Sequence, residues 1–363
     1  MKVLILGNSH LVVFGFRGEL IEELVKRGYE VTVSFPNSEF GSGEETSKLY
    51  GCRFVETKMD RRKTNPIKDL RLLWQYIYLI KKEKPDIVLG FTVKCDTYGG
   101  IACQICNVPF IPNITGIGKG LDEGGIVSRI LTILYKIGIK NSKIVFFQNE
   151  HDREFFIKKG ISLQNTQVLP GSGVNLKKFH PLEFPKCPPV VFLYSSRVMK
   201  AKGIEQYMEA ARYIHKKYPQ TEFHVCGICE EDYKDVIYQE CKNGTLIYHG
   251  FVHDVKEYVQ SSCCIVLPTF HPEGISNVLL EAAACARPII TTDRPGCRET
   301  VEDGISGYLI QERNSCDLIE KIEKFLSLTT IQMKRMGLEG RKKIEKEFSR
   351  QAVVDAYLYE MTK

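Results

Sequence analysis

Hydrophobic positions along this chain fall into two alternating rhythms. Short apolar runs rich in Val, Ile, Leu and Phe occupy residues 2–6, 30–35, 87–91, 110–113 and 144–148. Between them, residues 16–27, 66–83 and 126–139 carry apolar side chains at helical spacing. Strands alternating with amphipathic helices predict a parallel, doubly wound sheet. Pro170-Gly171-Ser172-Gly173 interrupts the pattern, and a polar, proline-containing stretch runs on to Pro189, which reads as a linker. The pattern then restarts. Strands are expected over 190–195, 222–226, 245–249, 264–267 and 288–292, and helices over 203–217, 254–261, 277–286 and 317–328. Residues 332–361 read as helix, able to pack back across both halves.

The expected fold class is therefore α/β: two Rossmann-like domains facing each other across a cleft. The first spans 1–172, a linker 173–189, the second 190–345, and a C-terminal crossover helix 346–363. In open α/β sheets, ligands bind beyond the carboxyl ends of the strands, so a site is expected in the cleft. It is not an ordinary dinucleotide site. The first strand leads into Gly7-Asn8-Ser9-His10, without the Gly-x-Gly-x-x-Gly spacing, and a Walker phosphate loop is absent.

Composition narrows the picture further. At 363 residues, 43% hydrophobic and 26% charged, the chain has the make-up of a soluble globular protein. No stretch of about 18 uncharged apolar residues exists to predict a transmembrane helix. The net charge is +6. Residues 1–172 hold 24 Lys and Arg against 18 Asp and Glu, so the whole surplus lies in the first half. Such a surplus attracts anionic partners without choosing among them. The opening Met1-Lys2-Val3-Leu4-Ile5-Leu6-Gly7 is too short an apolar run for a secretory signal and reads as a first strand. The 13 cysteines are therefore expected reduced, in a cytoplasmic protein. Cys103/Cys106 and Cys226/Cys229 have zinc-knuckle spacing, but each pair lies in or beside an apolar segment, which favours core packing.

The richest segment is 267–304. Glu273 follows a strand, and Glu281 lies about two turns into the next helix. Between them Gly274, Ile275, Ser276 and Asn277 form the start of that helix, whose free N–H groups and positive dipole end suit a diphosphate. A carboxylate on either side of a bound diphosphate can accept hydroxyl hydrogen bonds from sugars. Arg197 and Lys202 leave the first strand of the second half, where two cations can neutralise a departing diphosphate without a metal. No Asp-x-Asp pair, the usual carboxylate cradle for a divalent ion on a nucleotide sugar, occurs in the chain.

The Glu-x7-Glu and Arg-x4-Lys pairs on a double Rossmann pattern resemble the retaining GT-B glycosyltransferases of family 4. Further support comes from Val168-Leu-Pro-Gly-Ser-Gly-Val-Asn-Leu-Lys-Lys-Phe179, Tyr248-His-Gly-Phe-Val-His253 and Glu299-Thr-Val-Glu-Asp-Gly304. Asn175 stands where the family commonly has Asp; both form the same kind of turn. In the N-terminal half, Phe14-Gly-Phe-Arg-Gly18, Gly90-Phe-Thr-Val-Lys94 and Ile111-Pro-Asn-Ile-Thr-Gly-Ile-Gly118 resemble bacterial enzymes that add a hexose or N-acetylhexosamine to undecaprenyl-diphosphate-linked sugars.

The resemblance implies roles. Glu273 binds hydroxyls of the donor sugar, Glu281 the ribose of a UDP-sugar. Backbone N–H groups from Gly274 through Ile275, Ser276 and Asn277 to Val278 hold the diphosphate, and Arg197 and Lys202 stabilise it as it leaves. The loop from Gly250 to His253, with Phe251 and Val252, presents backbone groups to the base. No metal or other cofactor is implied, and no nucleic acid. The acceptor is a lipid-linked saccharide, and reaction proceeds with retention on the face from which the diphosphate departs. Arg17, Thr92, Lys94, Asn113 and Thr115 sit at expected strand ends or cleft loops as candidates for the acceptor or donor sugar; a loop-structuring role is the alternative. The apolar helix at 126–139, with Arg61-Arg62-Lys63 and Lys81-Lys82, is a candidate for peripheral contact with an anionic membrane surface. Two other functions stay open: a non-hydrolysing UDP-N-acetylglucosamine 2-epimerase of the same architecture, and a silent scaffold subunit.

Overall fold

The computed structural model describes residues 1–37, 41–60, 65–161, 165–230, 232–252 and 254–363. They form two compact units, Met1–Gly173 with Arg350–Lys363, and Val174–Ser349. In the first, seven strands run parallel: β1 (Lys2–Leu6), β2 (Glu30–Phe35), β3 (Arg53–Glu56), β4 (Ile87–Phe91), β5 (Phe110–Ile114), β6 (Val145–Phe147) and β7 (Thr166–Val168). Their spatial order is β3-β2-β1-β4-β5-β6-β7. β4 and β5 are buried along their whole length, as strands covered on both faces must be. The second unit repeats the plan with β8 (Val190–Ser195), β9 (Thr221–Cys226), β10 (Ile247–Tyr248), β11 (Cys264–Leu267), β12 (Ile289–Thr292) and β13 (Gly307–Ile310), in the order β10-β9-β8-β11-β12-β13. Both are Rossmann-like α/β sheets.

Each sheet reverses its strand order once, between β1 and β4 and between β8 and β11. At such a switch point the loops leaving adjacent strands diverge and open a crevice at their carboxyl ends. In the first unit the loops after β1 and β4 both enter wide π-helical turns, Leu11–Gly15 and Cys95–Gly99.

Residues 174–189, expected as a linker, belong to the second unit. Arg287 explains how. Its fully buried guanidinium donates to Leu182 O at 3.2 Å, Glu183 O at 2.6 Å, Val259 O at 2.9 Å and Gln260 O at 3.1 Å. Backbone carbonyls thus compensate a charge that has no carboxylate partner among the described residues, and they pin the segment down. Arg341 adds a bond to Phe179 O at 2.6 Å. The C-terminal tail is two helices, Thr330–Glu347 in the second unit and Arg350–Thr362 in the first. Val353, Val354, Tyr357, Leu358 and Met361 of the last helix complete the core around β1, β2, β4 and β5.

Candidate active site

In the second unit, the loops leaving β8 and β11 are stitched together. Phe270 N donates to Ala201 O at 2.9 Å, and Thr269 Oγ1 to the same oxygen at 3.2 Å. Gly203 makes this approach possible. Its φ is +77°, and a Cβ there would lie 2.0 Å from Pro268 O. Because the loops meet, Lys202 Nζ forms an ion pair with Glu273 Oε1, although the two residues are 71 positions apart. Lys202 is buried, and Glu273 nearly so. Burial pushes the Glu273 carboxyl up, but Lys202, then His271 and Arg197, outweigh it and hold it below the usual glutamate range.

The other oxygen of Glu273, Oε2, is buried without a hydrogen-bond partner among the described residues, as is Asn277 Oδ1. Buried polar atoms are normally paired, so two unpaired oxygens four residues apart in the chain are candidates for a ligand's donors. The helix Asn277–Ala284 begins there. By helix geometry the N–H groups of Asn277, Val278 and Leu279 have no carbonyl within their own helix. Ser276 is different: its N–H donates to Gly296 O at 2.8 Å and is not available to a diphosphate. That corrects the expectation of an unbroken run of donors from Gly274 to Val278. The physical reason is the turn at Gly296, whose carbonyl reaches back to the helix start.

Glu281 lines a small cavity with Ser195, Val278, Lys256 and Cys285. Lys256 Nζ lies 3.0 Å from His180 Nε2. Arg197 Nη1 donates to Glu230 Oε2 at 2.8 Å. Phe251 is 47% exposed on the loop after β10, and Val252 packs partly against the core; His253 lies outside the described residues. His271, Lys256 and Glu230 were not marked by any spacing in the sequence. They enter the site because separate loops converge, and no local pattern announces that.

The candidates of the first unit separate into groups. Arg17 is buried over the Phe91 ring at 4.5 Å and donates to Phe16 O at 2.9 Å. Burial draws its guanidinium down to about 10, still protonated at neutral pH, while Tyr357 works the other way. Asn113 Nδ2 donates to Tyr357 Oη at 2.7 Å. Arg17 and Asn113 are thus brought together by a tyrosine from the far end of the chain. Lys94 pairs with Asp69 at 2.6 Å. Thr92 takes φ +87°, a costly conformation for a β-branched residue, with its hydroxyl 3.7 Å from Cys95 Sγ. Thr115, just beyond β5, is half-buried.

Cys103 and Cys226 are buried and Cys106 and Cys229 half-buried. Burial pushes the Cys226 thiol up to about 12 and that of Cys103 further still. Among the described residues no three His, Cys, Asp or Glu side chains group as a metal site requires.

Two Rossmann-like units, with a basic and acidic pair set at a helix start beyond a switch point, define the class. Residues 178–343 match the family of glycosyl transferases group 1, and residues 2–149 the glycosyl transferase 4-like family. With one half of the chain matching each of these glycosyltransferase models, the protein is a glycosyltransferase. It is 26% identical over 347 residues to N,N'-diacetylbacillosaminyl-diphospho-undecaprenol alpha-1,3-N-acetylgalactosaminyltransferase of Campylobacter jejuni, covering 90% of this chain and 89% of that protein. It is 28% identical over 356 residues to the capsular polysaccharide biosynthesis glycosyltransferase CapM of Staphylococcus aureus, covering 93% and 90%. Among solved structures, HepE of Anabaena in complex with UDP and glucose superposes with a TM-score of 0.80 at 16% identity, over the full length of both chains. Sucrose-phosphate synthase of Thermosynechococcus elongatus gives 0.81 at 18% identity, over 100% and 99%. These two likenesses establish the GT-B fold.

Proposed function

We propose that this glycosyltransferase moves a hexose or N-acetylhexosamine from a UDP-sugar to an undecaprenyl-diphosphate-linked saccharide, with retention of configuration and without a metal, in the assembly of a surface glycan. One observation carries the reading: Lys202, Arg197, Glu273 and Asn277 gather at the start of the helix that bears Glu281. The Campylobacter enzyme's name supplies the acceptor class, and HepE's complex supplies UDP as the nucleotide.

In this reading the diphosphate sits on the N–H groups of Asn277 and Val278, where the helix dipole favours negative charge. Lys202 and Arg197 supply the positive charge that grows in value as the sugar–phosphate bond breaks. Glu273 is a carboxylate at neutral pH and accepts from the sugar's hydroxyls through Oε2. The departing diphosphate oxygen takes the acceptor's proton, so the acceptor attacks from the face the leaving group vacates. The decisive experiment is a panel of UDP-sugars against short-chain polyprenyl-diphosphate saccharides, with the product anomer read by NMR. UDP release that requires the acceptor, an α-linked product from an α-donor, and activity that survives EDTA are expected. Isomerisation of a UDP-sugar without acceptor would point to an epimerase instead, and an inverted product would overturn the mechanism.

The same protein is proposed to rest on an anionic membrane surface, which brings it to a lipid-linked acceptor. Among the described residues no helix is long and apolar enough to cross a membrane. Helix Gly125–Gly138 exposes Ile126, Ile130, Ile133 and Ile137, and helix Pro66–Glu83 exposes Ile67, Leu70, Trp74 and Tyr78. Each set repeats at three or four positions and so forms a stripe. Arg129 and Lys136 accompany the first stripe, Arg71, Lys81 and Lys82 the second. Arg61, Arg62 and Lys63 lie outside the described residues.

A further inference from the structure

Arg197 is 40% exposed on a loop, and a guanidinium in that position has many orientations open to it. In the structure it is paired with Glu230 Oε2 at 2.8 Å. The loop after β9 runs alongside the loop after β8. Ser196 N donates to Cys226 O at 3.0 Å, Val198 N to Ile228 O at 2.8 Å, and Glu230 N to Val198 O at 3.2 Å. Residues 228–230 are therefore tied by backbone bonds to the loop that carries Arg197. Gly227 permits the approach, because a Cβ there would lie 1.8 Å from Ser196 O. Its own N–H donates to Gly250 O at 2.7 Å, and its carbonyl accepts from Tyr248 Oη at 2.8 Å. Glu230, only 12% exposed, is thus placed by its backbone before it meets any side chain.

We propose that Glu230 is a positioning residue for Arg197: its carboxylate accepts one guanidinium N–H and fixes the orientation in which the remaining donors meet the diphosphate of the nucleotide. The proposal rests on the reading of Arg197 given above. A charge that is already oriented stabilises a developing charge without reorganising, which is where most of the value of such groups lies. Partners of this kind, one shell away from the ligand, commonly change affinity by about 10- to 100-fold when removed, on the precedent of metal-site outer shells. Lys200, two residues before Lys202, is drawn elsewhere, to Glu205 at 3.3 Å, which in turn accepts from Tyr233 Oη at 2.8 Å.

The test is a double-mutant cycle on the full chain, with UDP as the probe and calorimetry as the readout. Arg197→Ala, Glu230→Ala, Glu230→Gln and the double Arg197→Ala/Glu230→Ala are compared at equal melting temperature. Glu230→Ala is expected to weaken UDP by about 10-fold. Glu230→Gln, whose side-chain carbonyl still accepts from Arg197, is expected to recover most of that loss. In the Arg197→Ala background, Glu230→Ala is expected to change nothing further, because the group it acts through is gone. Independent, multiplying losses would show that Glu230 acts some other way and overturn the proposal. So would wild-type UDP affinity in Glu230→Ala beside a crippled Arg197→Ala. Wild-type affinity in Arg197→Ala overturns the diphosphate role of Arg197 itself, and the role of Glu230 with it. If Glu230→Ala does not fold, Glu230→Asp, which withdraws the acceptor by one methylene, enters the same cycle.

Discussion

Lys202 and Glu273 neutralise each other across the switch point, yet Oε2 of Glu273 is buried without a hydrogen-bond partner among the described residues. The proposed function gives this residue two jobs, one toward the protein and one toward the ligand, and they can be told apart. Glu273→Gln is expected to leave UDP affinity nearly unchanged and to depress transfer, since its proposed contact is with the sugar. Glu281→Gln is expected to weaken UDP itself by roughly 10- to 150-fold, the value of one hydrogen bond to a charged group. Calorimetry on both variants decides it; the opposite pattern would reverse the nucleotide on the helix. Lys202→Ala and Arg197→Ala are each expected to lower turnover by about 10²–10³, as when one preorganised charge is removed. The ion pair also gives a pH signature. The folded carboxyl titrates below its unfolded value of about 4.3, so its stabilisation is complete above that pH and is lost as pH falls through the lower folded value. The stability of the wild type relative to Glu273→Gln is therefore expected to fall as pH drops below about 4.3. A relative stability constant over that range, followed by thermal melts, would remove the ion pair from the account.

Among the elements, those with a strong period were legible and those without were not. β1, β2, β4, β8 and β11 lie over the apolar runs the sequence marks, because strands covered on both faces must be apolar throughout. β3, β7 and β13 are sheet edges of three or four residues, such as Arg53-Phe-Val-Glu56, and were not marked. Helices Gly43–Leu49, Gly100–Cys106, Glu150–Lys158 and Lys234–Lys242, of seven to nine residues each, were likewise not marked. Helix Pro66–Glu83 was legible as a helix, but which of its apolar side chains face outward was not. Trp74, 64% exposed, is the only tryptophan in the chain, so its emission reports on this helix alone. Vesicles containing anionic lipid are expected to shift that emission to the blue. Raised salt is expected to reverse the shift, since exposed charges beyond about 10 Å are screened at 0.1 M. No shift with acidic vesicles would take this stripe out of the membrane contact.

At the scale of the whole molecule, the last helix makes the first unit depend on the end of the chain. Arg350 donates to Gly173 O at 3.1 Å and pairs with Glu19 at 2.7 Å, and Tyr357 receives the Asn113 amide inside the core. Tyr357→Phe keeps the ring and removes the acceptor, leaving a buried amide N–H unpaired. It is expected to cost about 1–3 kcal/mol in denaturant unfolding. A variant as stable as wild type would show that Asn113 finds another partner.

The sequence by itself determined that there are two Rossmann-like halves, because burial on both faces of a parallel sheet writes itself into local composition. It also marked Arg197, Lys202, Glu273 and Glu281, because each lies within a few residues of a strand end or helix start whose position that composition sets. What only the tertiary structure decided are the pairings across distance: Lys202 with Glu273, Arg197 with Glu230, Asn113 with Tyr357, and Ser276's N–H with Gly296 rather than with a ligand. These depend on how separate loops meet at a switch point and on where a helix from the end of the chain comes to rest. Hydrogen-bond and charge partners of that kind have no period and no fixed spacing, so nothing in the linear pattern could carry them.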